Sequence, residues 1–288
     1  MSNPRGKPPP QRKLGSPTTA FDVVFGVAVQ IARKLLFISP AKKAIFHLVL
    51  IVTLSIYSVY STLPEVYLAQ KHNILNLYFT KIGWFWTLLA LVPFVSLTSY
   101  IHHNSIRTTL IHLTRLVVAT GFWYLCTGTF LHVEKVTGKC MGFPEALNRH
   151  ACSKDGGKWV PGFDISGHAF ILLYSILLMS EEAISFRHWP TTPLHNHISH
   201  DYHRNQTKTV QWLFIAIFVL HIIWDIQLIV TSLYFHTMSH KVIGALFAIG
   251  AWVVTYRIWY PKAIILPLPT RRKDSVVTNV NITNKKGR

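Results

Sequence analysis

Blocks of apolar residues long enough to cross a bilayer alternate with short polar segments along the chain. A helix needs about 20 apolar residues to span the hydrocarbon layer, because each residue rises only about 1.5 Å. Six segments meet that length, and their predicted bounds are 44–63, 82–100, 106–130, 168–186, 210–235 and 242–260. This pattern predicts an all-α integral membrane protein with six transmembrane helices.

The segment before the first predicted span has a different pattern. Charges such as Arg33 and Lys34 interrupt its apolar residues, and the uncharged stretch 23–32 is too short to cross a membrane. We therefore expect residues 21–43 to form an amphipathic interfacial helix that lies along the membrane surface. Residues 1–20 are rich in Pro, Gly, Ser and basic residues, which predicts a disordered basic tail.

Composition and charge support this membrane assignment. Only 14% of the residues are charged and 50% are hydrophobic, whereas soluble domains usually carry about 25% charged residues. Lys and Arg number 29 against 11 Asp and Glu, and the excess lies mostly at the two ends, including a basic tail at 263–288. Basic ends that flank a membrane domain, here residues 44–262, are typical of contact with anionic lipid and argue against nucleic-acid binding.

The basic ends also predict the orientation in the membrane. An even number of spans places both termini on one side, and the excess of Lys and Arg makes that side the cytosol. The loops 64–81, 131–167 and 236–241 then face the opposite side. The last four residues, 285–288, read KKGR and resemble the dilysine retrieval signal of reticulum membrane proteins. We therefore predict the endoplasmic reticulum membrane, with these three loops in the lumen.

The predicted topology indicates the environment of each of the three cysteines. Cys140 and Cys152 both fall in the long lumenal loop, twelve positions apart. An oxidising lumen favours a disulfide between them, but two unpaired thiols stay open because spacing alone shows no geometry. Cys126, near the end of the third span, is predicted to be a small core residue.

Two histidines are predicted to meet at the lumenal face. His168 opens the fourth span directly after Ser166 and Gly167, where Ser166 can cap the helix and the free N–H groups can receive an anion. His236 closes the fifth span on the same side, and Lys241 follows five residues later.

Such a set suits phosphoryl transfer. One imidazole can attack phosphorus while the other protonates the leaving oxygen, and a nearby cation stabilises charge on the phosphoryl oxygens. The catalytic candidates are therefore His168 and His236, with substrate binding by Ser166, Gly167 and Lys241. The alternative from spacing alone is that both histidines simply lie in the membrane interface.

Other polar residues in the spans are expected to be structural. Asp225 is eleven residues from His236, or about 16 Å deeper at 1.5 Å per residue, and we expect it to pair with Arg115 of the third span. Glu181 and Glu182 end the fourth span, and we expect them to be interface charges.

Sixteen histidines raise the question of a metal site. Four of them cluster between the fourth and fifth spans, and these are His195, His197, His200 and His203. The His-x2-His-His spacing of iron-binding membrane desaturases is absent, because Ser99 stands where a histidine before His102 would be needed. We expect a polar, solvated loop, and neither a metal nor another cofactor.

At these residues the chain resembles the fat storage-inducing transmembrane (FIT) family. The resemblance rests on five short motifs, which are FDISGH at 163–168, Glu181-Glu182, YFH at 234–236, KVIG at 241–244 and WYPKA at 259–263. It covers most of residues 40–265. The family is similar to a divergent branch of the lipid phosphate phosphatases, which implies six spans and a lumenal site.

The resemblance implies an acyl-CoA diphosphatase. Such an enzyme hydrolyses fatty acyl-CoA to acyl 4′-phosphopantetheine and adenosine 3′,5′-bisphosphate, and supports lipid balance in the reticulum and lipid droplet formation. By motif, His168 matches the expected general acid. His236 matches the expected nucleophile, which would give a phosphohistidine-type intermediate.

Two alternatives remain open from the sequence. One is a lipid phosphate phosphatase that acts on phosphatidate or lysophosphatidate. The other is a non-enzymatic protein that binds di- or triacylglycerol and partitions it into droplets. The Lys-x6-Arg-Pro motif of classical lipid phosphatases is absent, and His240 stands where their orienting aspartate would be. Asp164 is the candidate substitute for that aspartate. Protein partners are not indicated.

Overall fold

The computed structural model describes residues 19–70, 72–142, 149–195, 199–263 and 267–269. Most of the two predicted tails, the dilysine-like residues 285–288 and His197 lie outside the described residues.

The described residues form eight α-helices. Their bounds are α1 Ala20–Leu36, α2 Pro40–Tyr60, α3 Gly83–His103, α4 Ile106–Thr137, α5 Arg149–Lys154, α6 Gly167–Glu182, α7 His200–Tyr234 and α8 Met238–Trp252. A 3₁₀ turn, Ala183–Phe186, extends α6, and a π-helical segment, Val253–Trp259, extends α8. Among these residues six helices are long and apolar enough to cross a membrane, namely α2, α3, α4, α6, α7 and α8, so the predicted six spans are confirmed.

Where the structure describes them, the loops between the spans carry little regular structure. A 3₁₀ turn, Tyr67–Ala69, and a π-helical segment, Leu75–Thr80, lie between α2 and α3. Between α4 and α6, strands β1 Lys139–Met141 and β2 Lys158–Val160 pair in antiparallel fashion around α5.

The central helix of the bundle is α6. In its most apolar stretch 94% of the residues are buried, whereas the other five spans bury 22–44%. Helices α2, α3, α7 and α8 pack around it. Its sequence is apolar on every side, which is typical of a helix with protein rather than lipid or water around it. The position of α6 therefore sets where the other spans lie.

The predicted interfacial segment begins with a well-capped helix, α1. The hydroxyl of Thr19 accepts a hydrogen bond from the amide of Asp22, and the Thr19 amide and hydroxyl donate to the Asp22 carboxylate. These hydrogen bonds lower the pKa of Asp22. Phe25 packs on Trp212 of α7 with 4.4 Å between ring centroids. α1 is therefore fixed to the side of the bundle.

The predicted pairing of Arg115 with Asp225 is wrong. Arg115 is 1% exposed and donates to both carboxylate oxygens of Glu182, at 2.8 and 2.6 Å. The Tyr256 hydroxyl donates to the same carboxylate at 2.6 Å. Glu182 reaches Arg115 because α4 lies beside the end of α6. Asp225 instead pairs with His47 of α2 and His221 of α7.

The expectation that Glu181 and Glu182 are interface charges is also wrong, since both are only 1% exposed. Glu181 accepts a hydrogen bond from the Trp252 indole at 2.9 Å and pairs with Arg257. Two buried carboxylates thus each have an arginine partner. This network ties α4 and the sixth span to the end of the central helix.

The disulfide expected between Cys140 and Cys152 is confirmed, with 5.6 Å between the Cα atoms. It joins β1 to α5 in the loop between α4 and α6. Gly157 packs against it so closely that an added Cβ would lie 2.5 Å from the Cys140 sulfur. Cys126 is buried in α4, as predicted.

Replacing Glu182 by Gln is expected to lower the free energy of unfolding by about 3–5 kcal/mol, because Arg115 would remain buried without its counter-charge. Thermal unfolding of the purified protein in detergent measures the change. Arg204→Gln is the control, since the Arg204–Asp201 pair is 67% and 87% exposed and is worth at most about 1 kcal/mol. Equal shifts in Tm for the two variants would contradict this account.

Candidate active site

A cavity of about 430 Å³ opens at the end of the bundle where α6 begins and α7 ends. Five ionisable residues line it, and these are Lys81, Glu134, Asp164, His168 and His236. Apolar lining comes from α4, α6 and the residue before Ser166, namely Trp123, Phe130, Leu131, Ile165 and Ile171. The structure therefore brings the two sequence-predicted histidines into one cavity.

The start of α6 positions His168. The Ser166 hydroxyl accepts a hydrogen bond from the Ala169 amide at 3.3 Å, which confirms the predicted cap. The Ser166 amide donates to the His240 carbonyl at 3.1 Å, so the cap is bound to the chain after α7. Gly167 and His168 line the cavity at the helix N-terminus, where the helix dipole favours an anion. Ser166 itself is fully buried, so it acts by holding this turn.

Gly244, in the KVIG motif, lies directly against the same turn. An added Cβ at Gly244 would be 2.5 Å from the Ser166 carbonyl oxygen and 3.5 Å from the Phe170 nitrogen. Only glycine permits this approach, because any side chain would displace the backbone of the cap. The close contact explains why a small residue stands here in α8.

His236 lies in the short connection between α7 and α8. Its φ is 56°, in the left-handed region that a residue with a side chain rarely adopts. Such a conformation persists when the surroundings hold it in place, and it is frequent at functional sites. Its Nδ1 atom is 3.4 Å from Oδ2 of Asp164, which comes from the loop before α6. Asp164 thus lies within ion-pair distance of His236, and it stays the candidate for the carboxylate that orients this imidazole.

Lys241 does not lie where a substrate-binding cation is needed. It is buried, and its ammonium donates to the Ser232 carbonyl at 2.6 Å, in the last turn of α7. A cation at a helix C-terminus satisfies carbonyl groups that lack helical partners. The lysine that lines the cavity is Lys81, which lies two residues before the start of α3.

Sequence reasoning missed both Lys81 and Glu134 as site residues. The sequence indicated a role for them only through their position, since each lies near a span end that the topology places on the same side as His168. Many charged residues flank spans, so only the three-dimensional arrangement distinguishes these two.

The cavity is polar at one end and apolar at the other. Along α4 its lining descends from Glu134 to Trp123, eleven residues or about 16 Å at 1.5 Å per residue. The histidines and Lys81 lie with Glu134 and Asp164 in the polar part, while Trp123 and Ile171 form apolar walls. An amphiphile with a phosphorylated head and an apolar tail matches this division.

Fold and site together define a multi-span membrane protein whose histidine pair lies in an amphipathic cavity. A family model described as fat storage-inducing transmembrane protein matches residues 64–141 and 130–256. The chain belongs to this family. No solved structure matches the chain.

Relatives of the chain carry the name acyl-coenzyme A diphosphatase FITM2. A relative from Caenorhabditis elegans is 38% identical over 266 residues, covering 91% of this chain and 93% of its own. A relative from Homo sapiens is 40% identical over 216 residues, 73% of this chain and 79% of its own. One from Drosophila melanogaster is 34% identical and covers 89% of this chain and 67% of its own.

Replacing Gly244 by Ala is expected to displace the Ser166 turn, lowering the free energy of unfolding by about 1–3 kcal/mol and reducing hydrolytic activity. Gly250→Ala is the matched control in the same helix, because an added Cβ there meets nothing within 4 Å. That control is expected to be neutral or stabilising by up to about 1 kcal/mol. Thermal unfolding and turnover of both variants measure this, and identical behaviour of the two would contradict the steric argument.

Proposed function

We propose that the chain is an acyl-CoA diphosphatase that hydrolyses fatty acyl-CoA to acyl 4′-phosphopantetheine and adenosine 3′,5′-bisphosphate. The observation that carries this proposal is that one amphipathic cavity holds both His168 and His236. The names of the relatives support the reaction class, since the substrate they state has both an apolar tail and a diphosphate.

The polarity of the cavity supports one orientation of the substrate. The acyl chain lies toward Trp123 and Ile171, at the depth of the membrane, and the nucleotide end lies toward water. The diphosphate then lies at the N-terminus of α6, close to the Lys81 ammonium. A fixed cation and backbone N–H groups stabilise negative charge on phosphoryl oxygens more as charge develops in the transition state.

The two histidines then take different roles. With Asp164 at Nδ1, His236 carries its proton on that nitrogen and presents the Nε2 lone pair for attack. A P–N bond forms and the bridging P–O bond of the diphosphate breaks. His168 donates a proton to the leaving phosphate oxygen, and it then accepts a proton from the water that hydrolyses the phosphohistidine. Asp164 is a positioning residue and contacts only His236 in this scheme.

We also propose an endoplasmic reticulum location, with both termini in the cytosol and the histidine cavity in the lumen. The basic ends support this orientation. The disulfide supports it independently, because Cys140 and Cys152 lie in the loop that leads to Asp164, and disulfides persist in oxidising compartments. In this location hydrolysis would serve reticulum lipid balance and droplet formation.

Histidine variants test the reaction directly. His236→Ala is expected to abolish turnover of oleoyl-CoA, because the nucleophile is lost. His168→Ala is expected to lower kcat about 10²–10⁴-fold, the usual worth of a general acid. Purified protein is given oleoyl-CoA, and both products are quantified by mass spectrometry. His132→Ala, an exposed residue of α4 that does not line the cavity, is the control and should retain activity.

Each alternative function has its own outcome in this experiment. Full activity in both catalytic variants would overturn the proposal. Faster phosphate release from phosphatidate than cleavage of oleoyl-CoA would favour a lipid phosphatase. Absence of product from every form, in an assay validated with a known diphosphatase, would favour binding of di- or triacylglycerol without catalysis.

Asp164→Asn tests the positioning role. We expect kcat to fall at least about tenfold, with KM within about twofold, because the imidazole loses the group that fixes its tautomer and orientation. Asp164→Glu should recover part of the loss. Steady-state kinetics over a range of pH measures this, and a shifted pH profile would show that the carboxylate acts through His236. An unchanged kcat in Asp164→Asn would exclude this role.

A further inference from the structure

A second cluster of ionisable side chains lies inside the bundle, away from the histidine cavity. It consists of Lys43 and His47 of α2 and His221 and Asp225 of α7, which we call the intramembrane cluster. Asp225 is eleven residues before His236, or about 16 Å along the axis of α7. Ionisable groups at such depth are costly, and they commonly mark a functional site.

The hydrogen bonds of Lys43 determine the state of His221. The ammonium has three hydrogens, and three acceptors surround it, namely the Ser180 hydroxyl at 2.8 Å, His221 Nε2 at 3.0 Å and the Leu36 carbonyl at 3.5 Å. Because an ammonium only donates, His221 Nε2 must accept. The proton of His221 is therefore on Nδ1, which donates to Asp225 Oδ2 at 3.0 Å.

His47 has a different constraint. Its Nδ1 lies 2.7 Å from the Lys43 carbonyl, which only accepts, so Nδ1 carries a proton. Its Nε2 lies 2.9 Å from Asp225 Oδ1, and one further proton bridges that contact. Whether His47 or Asp225 carries that proton, the intramembrane cluster has a net charge of one positive unit.

A cavity of about 410 Å³ lies over this cluster. Its walls are mainly apolar and include Leu35, Ile38, Phe46 and Ile222, and the exposed Lys42 also lines it. Within the cluster the Asp225 side chain is the most exposed, at 29%, whereas the two histidine side chains are 5% and 8% exposed. The polar floor of an otherwise apolar cavity is therefore chiefly a carboxyl group.

We propose that this cavity binds one long-chain fatty acid, with its carboxylic acid hydrogen-bonded to Asp225 and its alkyl chain against the apolar walls. The Asp225 carboxylate has lone pairs beyond the two that accept from the histidines, so it can accept a further hydrogen bond from the carboxylic acid of the ligand. The carbonyl oxygen of the ligand carries partial negative charge and accepts hydrogen bonds, so the net positive charge of the intramembrane cluster and the Lys42 ammonium favour it. Amine and zwitterionic headgroups are disfavoured by the same charge.

The size of the cavity supports a single chain. At about 410 Å³ it is near the lower end of the 300–1,000 Å³ usual for small-molecule sites. One alkyl chain suits that volume, whereas the two or three chains of di- or triacylglycerol do not. This proposal does not rest on the proposed hydrolysis, since the residues of the cavity are separate from those around His236.

Binding of oleic acid to the purified full-length protein in nanodiscs tests the proposal. A photoreactive diazirine analogue of oleic acid should label peptides of α1, α2 or α7 that line the cavity, and unlabelled oleic acid should compete. Methyl oleate, which accepts but cannot donate, should compete at least tenfold less well. Dioleoylglycerol should also compete poorly.

Two variants test the site from different directions. Asp225→Asn should weaken oleic acid binding at least tenfold. Ile222→Trp fills the cavity without altering the polar cluster, and it should abolish labelling. Ile226→Trp, also on the exposed surface of α7 but outside the cavity, is the matched control and should bind like the unmodified protein. Retained hydrolysis of oleoyl-CoA and a single size-exclusion peak show that each variant is folded.

Several results would overturn the proposal. These are equal competition by methyl oleate or dioleoylglycerol, or labelling of Ile222→Trp at the level of Ile226→Trp. If Asp225→Asn fails to fold, Ile222→Trp and the competitor series still decide the question. Loss of oleoyl-CoA hydrolysis in His236→Ala with intact oleic acid binding would support both proposals separately.

Discussion

The structure depends on one constraint, which is that the central helix α6 is buried along almost its whole length and must still have its polar ends satisfied. In hydrocarbon an unpaired backbone group or charge costs several kcal/mol, so each end needs partners from the protein itself. At one end Ser166 caps the helix and bonds to the chain after α7. At the other end Glu181 and Glu182 are bonded to Arg257 and Arg115. These two sets of contacts fix how the surrounding spans lie.

The candidate active site is a direct product of the first of these contacts. The hydrogen bond between the Ser166 amide and the His240 carbonyl holds the start of α6 against the first turn of α8, directly after the connection that carries His236. His168 comes from the helix and His236 from that connection, so the contact that completes the cap also brings the two imidazoles into one cavity. Gly244 allows the approach, because α8 has no side chain at the point of contact.

Much of this arrangement could be predicted from the sequence. The length and apolarity of a segment identify a span, and the number of spans determines on which side of the membrane each span end lies. That reasoning located the six spans, the cap at Ser166 and the common side of His168 and His236. It failed for Arg115, Glu182 and Lys241, because the partner of a polar side chain depends on how each helix is rotated about its axis. Lys81 was missed for a different reason, since no local pattern distinguishes it from other lysines beside spans.

Hydrophobic positions within a membrane carry little information on helix rotation. In a soluble protein the apolar stripe of a helix marks the side that faces the core. In α4 or α7 both the lipid and the protein sides are apolar, so the stripe is lost. The polar residues hold that information instead, but only once two helices are known to be neighbours.

His236 lies in a short stretch of chain that two hydrogen bonds hold in place. Lys241 bonds back to Ser232, so this contact encloses residues 232–241, and within that stretch the His240 carbonyl accepts a hydrogen bond from the Ser166 amide. The intervening backbone has lost its conformational entropy when the chain folds, including the left-handed φ of His236. Substrate binding therefore need not order the nucleophile, and the free energy of binding remains available to align the phosphorus atom with it.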